Sequence, residues 1–328
     1  VPFTLFGLDE RLLAWLIRFS AAFRSKLDFL TSQTRDLSTL SSTPTTSLPQ
    51  YQQLQSFNVE QQTTSQITAL YHVHRPYCTS TVTSPAMDSA ALIVVDLQED
   101  FCPPVYFIAY KSGPSANQEQ NGALAVQNGR DIVPVINTFL ELKFKIKIAT
   151  QDYHPHNHCS FASQHKGAKP FTSTHTVTNP EATDPTAAES QQITLWPDHC
   201  VQDTPGCEFV PELDLSEIHR IVRKGEDPRV EAYSGFGPDF REPAVAMTCM
   251  AELLREHGIK HVIVCGLALD YCVRYTAIDA AKEGFRVTVV EDATKAVNQD
   301  AETLRDVRDD LEAHGVQLLK ATSTKFII

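Results

Sequence analysis

"ELLREHGIKHVIVCGLALDYCVRYTAIDAAKEGFRVTVVED", residues 252–292, decides the fold. It reads as helix, glycine, strand, and then as the same unit again. "ELLREHG" leads into "KHVIVCG", and "AIDAAKEG" leads into "RVTVVED". A third copy follows, "DDLEAHG" running into "VQLLKA". Gly258, Gly284 and Gly315 each stand where a helix must end in a left-handed residue. Upstream, "ALIVVD", "FKIKIATQD" and "EIHRIVRKG" read as further strands. "GRDIVPVINTFLELK" repeats apolar residues at Ile132, Val135, Ile136, Phe139 and Leu140, the spacing of one helix face. Strands alternating with helices imply βαβ units and a sheet covered on both faces. The expected fold is a three-layer α/β sandwich with a mostly parallel central sheet, spanning residues 87–328.

In such a sheet, ligands bind beyond the carboxyl ends of the strands. Those ends carry Asp96, Asp152, Lys224, the Gly266–Cys272 turn and Asp292. The turn places Cys272 in the first turn of the following helix. There the positive end of the helix dipole favours a thiolate, and backbone N–H groups can bind an oxyanion. The competing reading is a buried, inert cysteine. Asp96 and Lys224 read singly as solvated strand ends. With a thiol they form a working set, a carboxylate to take its proton and an ammonium to hold the anion.

"TQDYHPHNHCSF", residues 150–161, places Asp152 and His154 two apart, on one face of an extended segment. His156 and His158 follow at the same interval, so spacing leaves the ligand choice open. "LWPDHCVQDTPG" adds His199. One carboxylate and two imidazoles, with coordination positions to spare, suit Zn²⁺, Fe²⁺ or Mn²⁺. The bland alternative is a histidine-rich surface loop.

Bulk properties narrow the functional classes. The 328 residues are 42% hydrophobic, enough for a sizeable core. A net charge of −12 argues against nucleic acid and anionic membranes as partners. No apolar run approaches the ~18 residues that span a bilayer. The eight cysteines contain no CxxC and form no dense framework, which suits a reducing compartment. The expected location is the cytoplasm, with nucleus and peroxisome left open. Residues 1–86 differ in composition. "TSQTRDLSTLSSTPTTSLPQYQQLQS" is rich in Ser, Thr and Gln without a hydrophobic period, so it reads as disordered. "RLLAWLIRFSAAFRSKL", residues 11–27, is apolar and basic, either a targeting helix or an incidental extension. The first methionine is Met87, and the working protein is expected to begin near it. "TNPEATDPTAAESQQ" before Trp196 reads as a surface loop.

The segments "ALIVVDLQEDFCPP", "NGALAV", "TQDYHPHNHCSFASQH", "LWPDHCVQDTPG", "VRKG", "YSGF" and "VCGLALDYCV" stand in the order found in nicotinamidases. Over about residues 90–320 the chain resembles fungal nicotinamidases of the isochorismatase-like hydrolase superfamily. The resemblance implies a catalytic triad of Asp96, Lys224 and Cys272. It implies metal ligands Asp152, His154 and His199, holding one divalent ion, zinc first, with iron or manganese as alternatives. Phe101, Trp196 and Tyr233 match positions that enclose a pyridine ring. Leu267–Ala268 matches a cis peptide bond that turns the Ala268 N–H beside that of Cys272 as an oxyanion hole. The implied substrate is nicotinamide, with pyrazinamide as an analogue, hydrolysed through a cysteine thioester in NAD salvage. Alternatives are an isochorismatase, an N-carbamoyl amidase, or a non-catalytic binding protein of the same fold. A homo-oligomer stays open. One departure from the pattern is "VYFIAYKSGPSANQEQ", residues 105–120, between "DFCPP" and "NGALAV". It reads either as a cover over the pocket or as retained intron sequence.

Overall fold

The computed structural model describes residues 87–104, 122–184 and 186–323. The expected extension at 1–86, the targeting segment at 11–27 and the insertion at 105–120 lie outside the described residues. The strands are β1 (Ala90–Val95), β2 (Ile146–Asp152), β3 (Thr174–Thr178), β4 (Ser190–Thr194), β5 (Arg220–Lys224), β6 (His261–Leu267), β7 (Arg286–Lys295) and β8 (Gln317–Leu319). The α-helices are α1 (Val133–Leu140), α2 (Met250–Glu256), α3 (Arg274–Lys282) and α4 (Ala301–Ala313). No helix among the described residues is long and apolar enough to cross a membrane.

Six strands form one sheet in the order β5-β2-β1-β6-β7-β8, and every pairing in it is parallel. Its central strands are apolar without alternation because both faces are covered. Leu92 and Val94 of β1 face the cluster that contains Ile136 and Leu140 of α1. Ala91, Ile93 and Val95 face the opposite cluster, with Met250 and Leu254 of α2, Ala277 of α3 and Leu311 of α4. This period-two split of one buried strand produces the three layers. All six strands of the sheet coincide with runs read from the sequence. Gly258, Gly284 and Gly315 have φ of 64°, 90° and 75°, the left-handed ends expected of them.

Three sequence expectations need correction. The segment before Trp196 is not wholly a loop, since Ser190–Thr194 pairs antiparallel with Thr174–Thr178. Its Gln- and Ser-rich strand buries only Ile193 deeply and so showed no hydrophobic alternation. Asp292 does not reach the functional rim. β7 runs on to Lys295, and its register against β6 slips between Val264 and Gly266. That irregularity leaves Asp292 exposed, accepting the Ala321 N–H at 2.7 Å. Cys272 is not inside the first turn of α3. It lies in the preceding turn, Leu269–Val273, which kinks at Tyr271 (φ −127°, ψ −106°) before α3 begins at Arg274.

Strand order reverses between β1 and β6. Successive strands move outward on one side of β1 through β2 and β5, and on the other from β6 through β7 and β8. The connections diverge at that point and open a crevice at the strand ends. Asp96 follows β1 directly, and the Cys272 turn follows β6.

Candidate active site

The register brings distant residues together. Asp152 and Lys224 are aligned partners at the ends of β2 and β5. Lys224 Nζ reaches Asp152 Oδ1 at 2.5 Å, Asp96 Oδ2 at 3.0 Å and Cys272 Sγ at 3.4 Å. Its fourth neighbour is the carbonyl of Ala232, at 3.0 Å. Asp96, Asp152 and Cys272 offer an oxygen, an oxygen and a sulfur within 4.8 Å of one another. Thr150 Oγ1 donates to Asp96 Oδ1 at 2.7 Å and accepts the Asp96 N–H at 3.2 Å. These bonds hold Asp96 in a left-handed backbone conformation, φ 43°. Asp96 Oδ2 meets the Lys224 charge but has no aligned hydrogen bond among the described residues. It is the oxygen with a lone pair to spare.

Burial sets the protonation states. It pushes Asp96 up to about 6, with the Lys224 ammonium pulling the other way. It pushes the Cys272 thiol well above its ordinary range, and Lys224 only partly offsets this. The resting sulfur is therefore a thiol, not the thiolate expected from a helix terminus. Burial alone would neutralise Lys224, but the Asp152 and Asp96 carboxylates override it and keep the ammonium. Burial would also raise Asp152, yet Lys224 and His154 hold it well below the usual carboxylate range.

Asp152, His154 and His199 form a second group beside the first, with ligand atoms within 4.8 Å of one another and all three residues buried. His154 Nδ1 lies 3.0 Å from the Gly225 carbonyl, and His199 Nδ1 lies 2.7 Å from the Pro197 carbonyl. A carbonyl only accepts, so each Nδ1 carries the proton and each Nε2 is left with a lone pair. Asp152 divides its labour: Oδ1 takes Lys224, and Oδ2 stands 3.6 Å from His154 Nε2. Burial, then His154, lowers His199 to about 4, which keeps it neutral as a ligand must be. His154 is raised because the Asp152 carboxylate outweighs the effect of burial. One carboxylate and two imidazoles with free Nε2 atoms fit a divalent ion of zinc type. His156 is exposed. His158 is buried, but Ser160 Oγ at 2.8 Å and the Val230 carbonyl at 3.1 Å occupy both its nitrogens. Its ring packs against His154 at 4.1 Å instead.

A pocket opens over both groups, bounded by Cys272 of the first and by Asp152 and His199 of the second. Phe101, Trp196 and Tyr233 line it, as do Ala268 and Cys272. Trp196 Nε1 donates to Tyr233 Oη at 3.2 Å, which fixes two walls against each other. The Leu267–Ala268 peptide bond is cis. Four further wall residues were not singled out from sequence, Leu124, Glu231, Tyr271 and Val297. Tyr271 packs edge-on to Trp196 at 5.0 Å, and its place in the quoted "ALDYCV" was the available signal. Glu231 is buried and lines the cavity. It precedes Tyr233 by two residues, the spacing that shares a face in extended chain.

Such a set can do nucleophilic acyl chemistry: a thiol, a base with raised pKa, a buried cation and a flat aromatic slot. The isochorismatase domain family matches residues 90–308. A nicotinamidase of Escherichia coli is 38% identical over 215 residues, 65% of this chain and 85% of its own length. The yeast nicotinamidase Pnc1p, solved with the inhibitor nicotinaldehyde, superposes with a TM-score of 0.61 at 32% identity, covering 70% of this chain and 99% of that one. A Pyrococcus horikoshii pyrazinamidase solved with zinc gives a TM-score of 0.50 at 35% identity, covering 71% of this chain and 99% of that one.

Proposed function

The chain belongs to the isochorismatase domain family, and on that premise we propose that it is a metal-dependent nicotinamidase, converting nicotinamide and water to nicotinate and ammonia. The observation that carries this reading is the placement of Lys224 Nζ among Asp96, Asp152 and Cys272, beside Asp152, His154 and His199. Relatives named nicotinamidase in bacteria and yeast support the same substrate.

The substrate ring enters the slot between Phe101, Trp196 and Tyr233. Asp152, His154 and His199 would hold a divalent ion, whose Lewis acidity supplies an anchor for the ring nitrogen. With the ring fixed, its carboxamide carbon lies over Cys272, and such positioning contributes ~7–11 kcal/mol to barrier lowering. Asp96 takes the thiol proton on Oδ2, and Lys224 stabilises the sulfur anion as it forms. The sulfur bonds to the carboxamide carbon, and the oxygen gains negative charge. The N–H groups of Ala268 and Cys272 receive that charge, each worth ~2.7–4 kcal/mol. Asp96 returns the proton to the nitrogen, the C–N bond breaks and ammonia departs. A water gives a proton to Asp96 and bonds to the thioester carbon. The C–S bond breaks, nicotinate leaves, and the proton returns to Cys272. One carboxylate serves as base and acid in both halves because the thioester separates them. Nicotinate made this way is a pyridine precursor for NAD salvage.

The test is ammonia release from nicotinamide by the zinc-loaded protein and by Cys272→Ala. The variant is expected to lose turnover while retaining its metal. Substantial turnover by Cys272→Ala would remove the thioester route.

A further inference from the structure

β1 and β2 pair in register from Ala91 with Ile146 to Val94 with Ala149. β1 then turns away at Asp96, whose φ of 43° breaks the extended strand, and the Gln98 N–H closes that turn on the Asp96 carbonyl at 2.9 Å. β2 runs on to Asp152. The Tyr153 N–H turns to the Lys224 carbonyl, on the β5 side, at 3.0 Å. Successive residues of a strand alternate, so the N–H and C=O of Asp152 face the side that β1 has left. Asp152 is only 3% exposed, and its buried backbone groups need partners from the protein.

The Gln98 side chain supplies them. Its Oε1 accepts the Asp152 N–H at 2.8 Å, and its Nε2 donates to the Asp152 carbonyl at 2.8 Å. The same nitrogen donates to the Cys207 carbonyl at 2.8 Å, in the segment that follows His199. Two carbonyls and one N–H fix which end of the amide is which. Gln98 is fully buried. We propose that Gln98 is a positioning residue, whose amide takes the place of the missing β1 backbone and so fixes the Asp152 carboxylate between Lys224 and His154. The proposal rests on the metal-dependent nicotinamidase reading and deepens it.

Asp152 is where the two groups of the site meet. Its Oδ1 holds Lys224, and its Oδ2 stands 3.6 Å from His154 Nε2. A shift of the Asp152 backbone would disturb the ammonium and the metal ligands together. Gln98 is not among the pocket walls, so it acts through Asp152 rather than on the substrate. An amide suits this place and a carboxylate does not. Glutamine offers the donor and the acceptor of a backbone peptide and carries no charge. Glutamate would lose both donors. It would also bring a third buried negative charge near Asp96 and Asp152, which share one ammonium.

Zinc affinity, read by competition with a chelator, tests this without turnover. Gln98→Met keeps the length of the side chain and removes all three bonds. It is expected to bind zinc about 10–100-fold more weakly. Cobalt(II) in place of zinc reports ligand geometry by its visible absorption, and its bands are expected to shift in the same variant. Gln98→Glu keeps the acceptor for the Asp152 N–H and is expected to lose affinity too. It carries the test should Gln98→Met fail to fold. Gln151→Leu separates positioning from packing. Gln151 is buried next to Asp152, but its side chain bonds to the Cys207 carbonyl at 2.9 Å and to Arg223 at 3.3 Å. Its removal is expected to leave zinc affinity and the cobalt spectrum unchanged. Zinc affinity within about twofold of the parent in the folded Gln98 variants overturns the proposal. So does an equal loss in Gln151→Leu, which would make the effect one of packing. A parent chain that binds zinc but does not hydrolyse nicotinamide would defeat the nicotinamidase reading while the Gln98 comparison stood. Normal hydrolysis with unchanged affinity in the Gln98 variants would defeat the positioning role alone.

Discussion

At Cys272 burial and charge oppose each other, and burial prevails. The thiol lies 3.4 Å from an ammonium yet stays protonated at rest. A cysteine in that state reacts only through a base, which makes Asp96 the limiting group. Burial sets Asp96 at about 6. The acceptor form is the ionised one, so activity is present above that value and lost as pH falls through it. The ratio kcat/KM is expected to drop about tenfold per pH unit below the transition. The rate of Cys272 alkylation by iodoacetamide should show the same acid limb, and Asp96→Asn should abolish it. An alkylation rate flat between about pH 8 and about pH 5 would take the base role away from Asp96. Lys224 answers for stability as well as chemistry. Its ammonium is the counter-charge for two buried carboxylates, and its side chain is fully buried. Lys224→Met leaves both without their counter-charge, at an expected cost of ~3–5 kcal/mol. Urea unfolding at fixed metal concentration measures this, and a loss under about 1 kcal/mol would mean that the carboxylates find other partners or protonate freely.

At the scale of elements, strand ends deliver the chemistry and glycines make room for it. Gly225 follows β5 with φ 69°, and a Cβ there would lie 2.3 Å from His154 Cε1. Its carbonyl also fixes the His154 tautomer. Gly225→Ala is therefore expected to displace the His154 ring and weaken zinc binding by about 10–100-fold. Competition with a chromogenic chelator reads this directly, and unaltered affinity would show that the β5 terminus does not hold the ligand. Gly266 plays the matching part on β6. With φ 112°, it lets the strand pass where a Cβ would meet the Val95 carbonyl at 2.1 Å. These elements differ in how visible they are in sequence. The inner strands β1 and β6 were legible because both faces are buried and the apolar runs are unbroken. The part-exposed edge strands β5 and β8 were legible because each still carries a short apolar core, Ile221 and Val222 in one, Leu318 and Leu319 in the other. Asp96, Asp152, Lys224 and Cys272 were legible because each terminates or follows such a run. The β3–β4 hairpin was not, since its residues are mostly polar and its pairing is local to the surface. Asp292 misled for a related reason. A strand that bulges carries no mark of it in composition, so a residue inside β7 passed for its end. The state of the Cys272 thiol was also out of reach, because burial comes from residues far away in sequence.

Across the whole molecule, the reversal of strand order between β1 and β6 gathers the site, and one stretch of chain supplies all of it. Asp96 is the earliest residue of the site, and Val297 is the last residue that lines its pocket. Residues Ser80–Ile328 form one compact unit in which this stretch is contained. The chain returns to the site at Gly122 in a fixed way. Its N–H donates to the Cys102 carbonyl at 3.3 Å, and a Cβ there would lie 2.3 Å from the Glu99 carbonyl oxygen. Leu124 is then held by the Asp100 carbonyl at 2.9 Å and lines the substrate cavity. The pocket floor is thus tied together by bonds within 87–323. A chain beginning at Met87 is expected to release ammonia from nicotinamide at a rate within about twofold of the full chain, since Asp96, Lys224, Cys272, the Asp152–His154–His199 cluster and the described pocket walls all follow Met87. Chelation should abolish the activity of both, and added zinc should restore it, as the proposed role of a metal held by the imidazole–carboxylate cluster requires. Ammonia release and metal content, followed together through chelation and reloading, decide the matter. A shortened chain that folds and binds zinc yet does not turn over would place an essential group before Met87. Turnover that survives complete metal removal would detach Asp152, His154 and His199 from substrate binding.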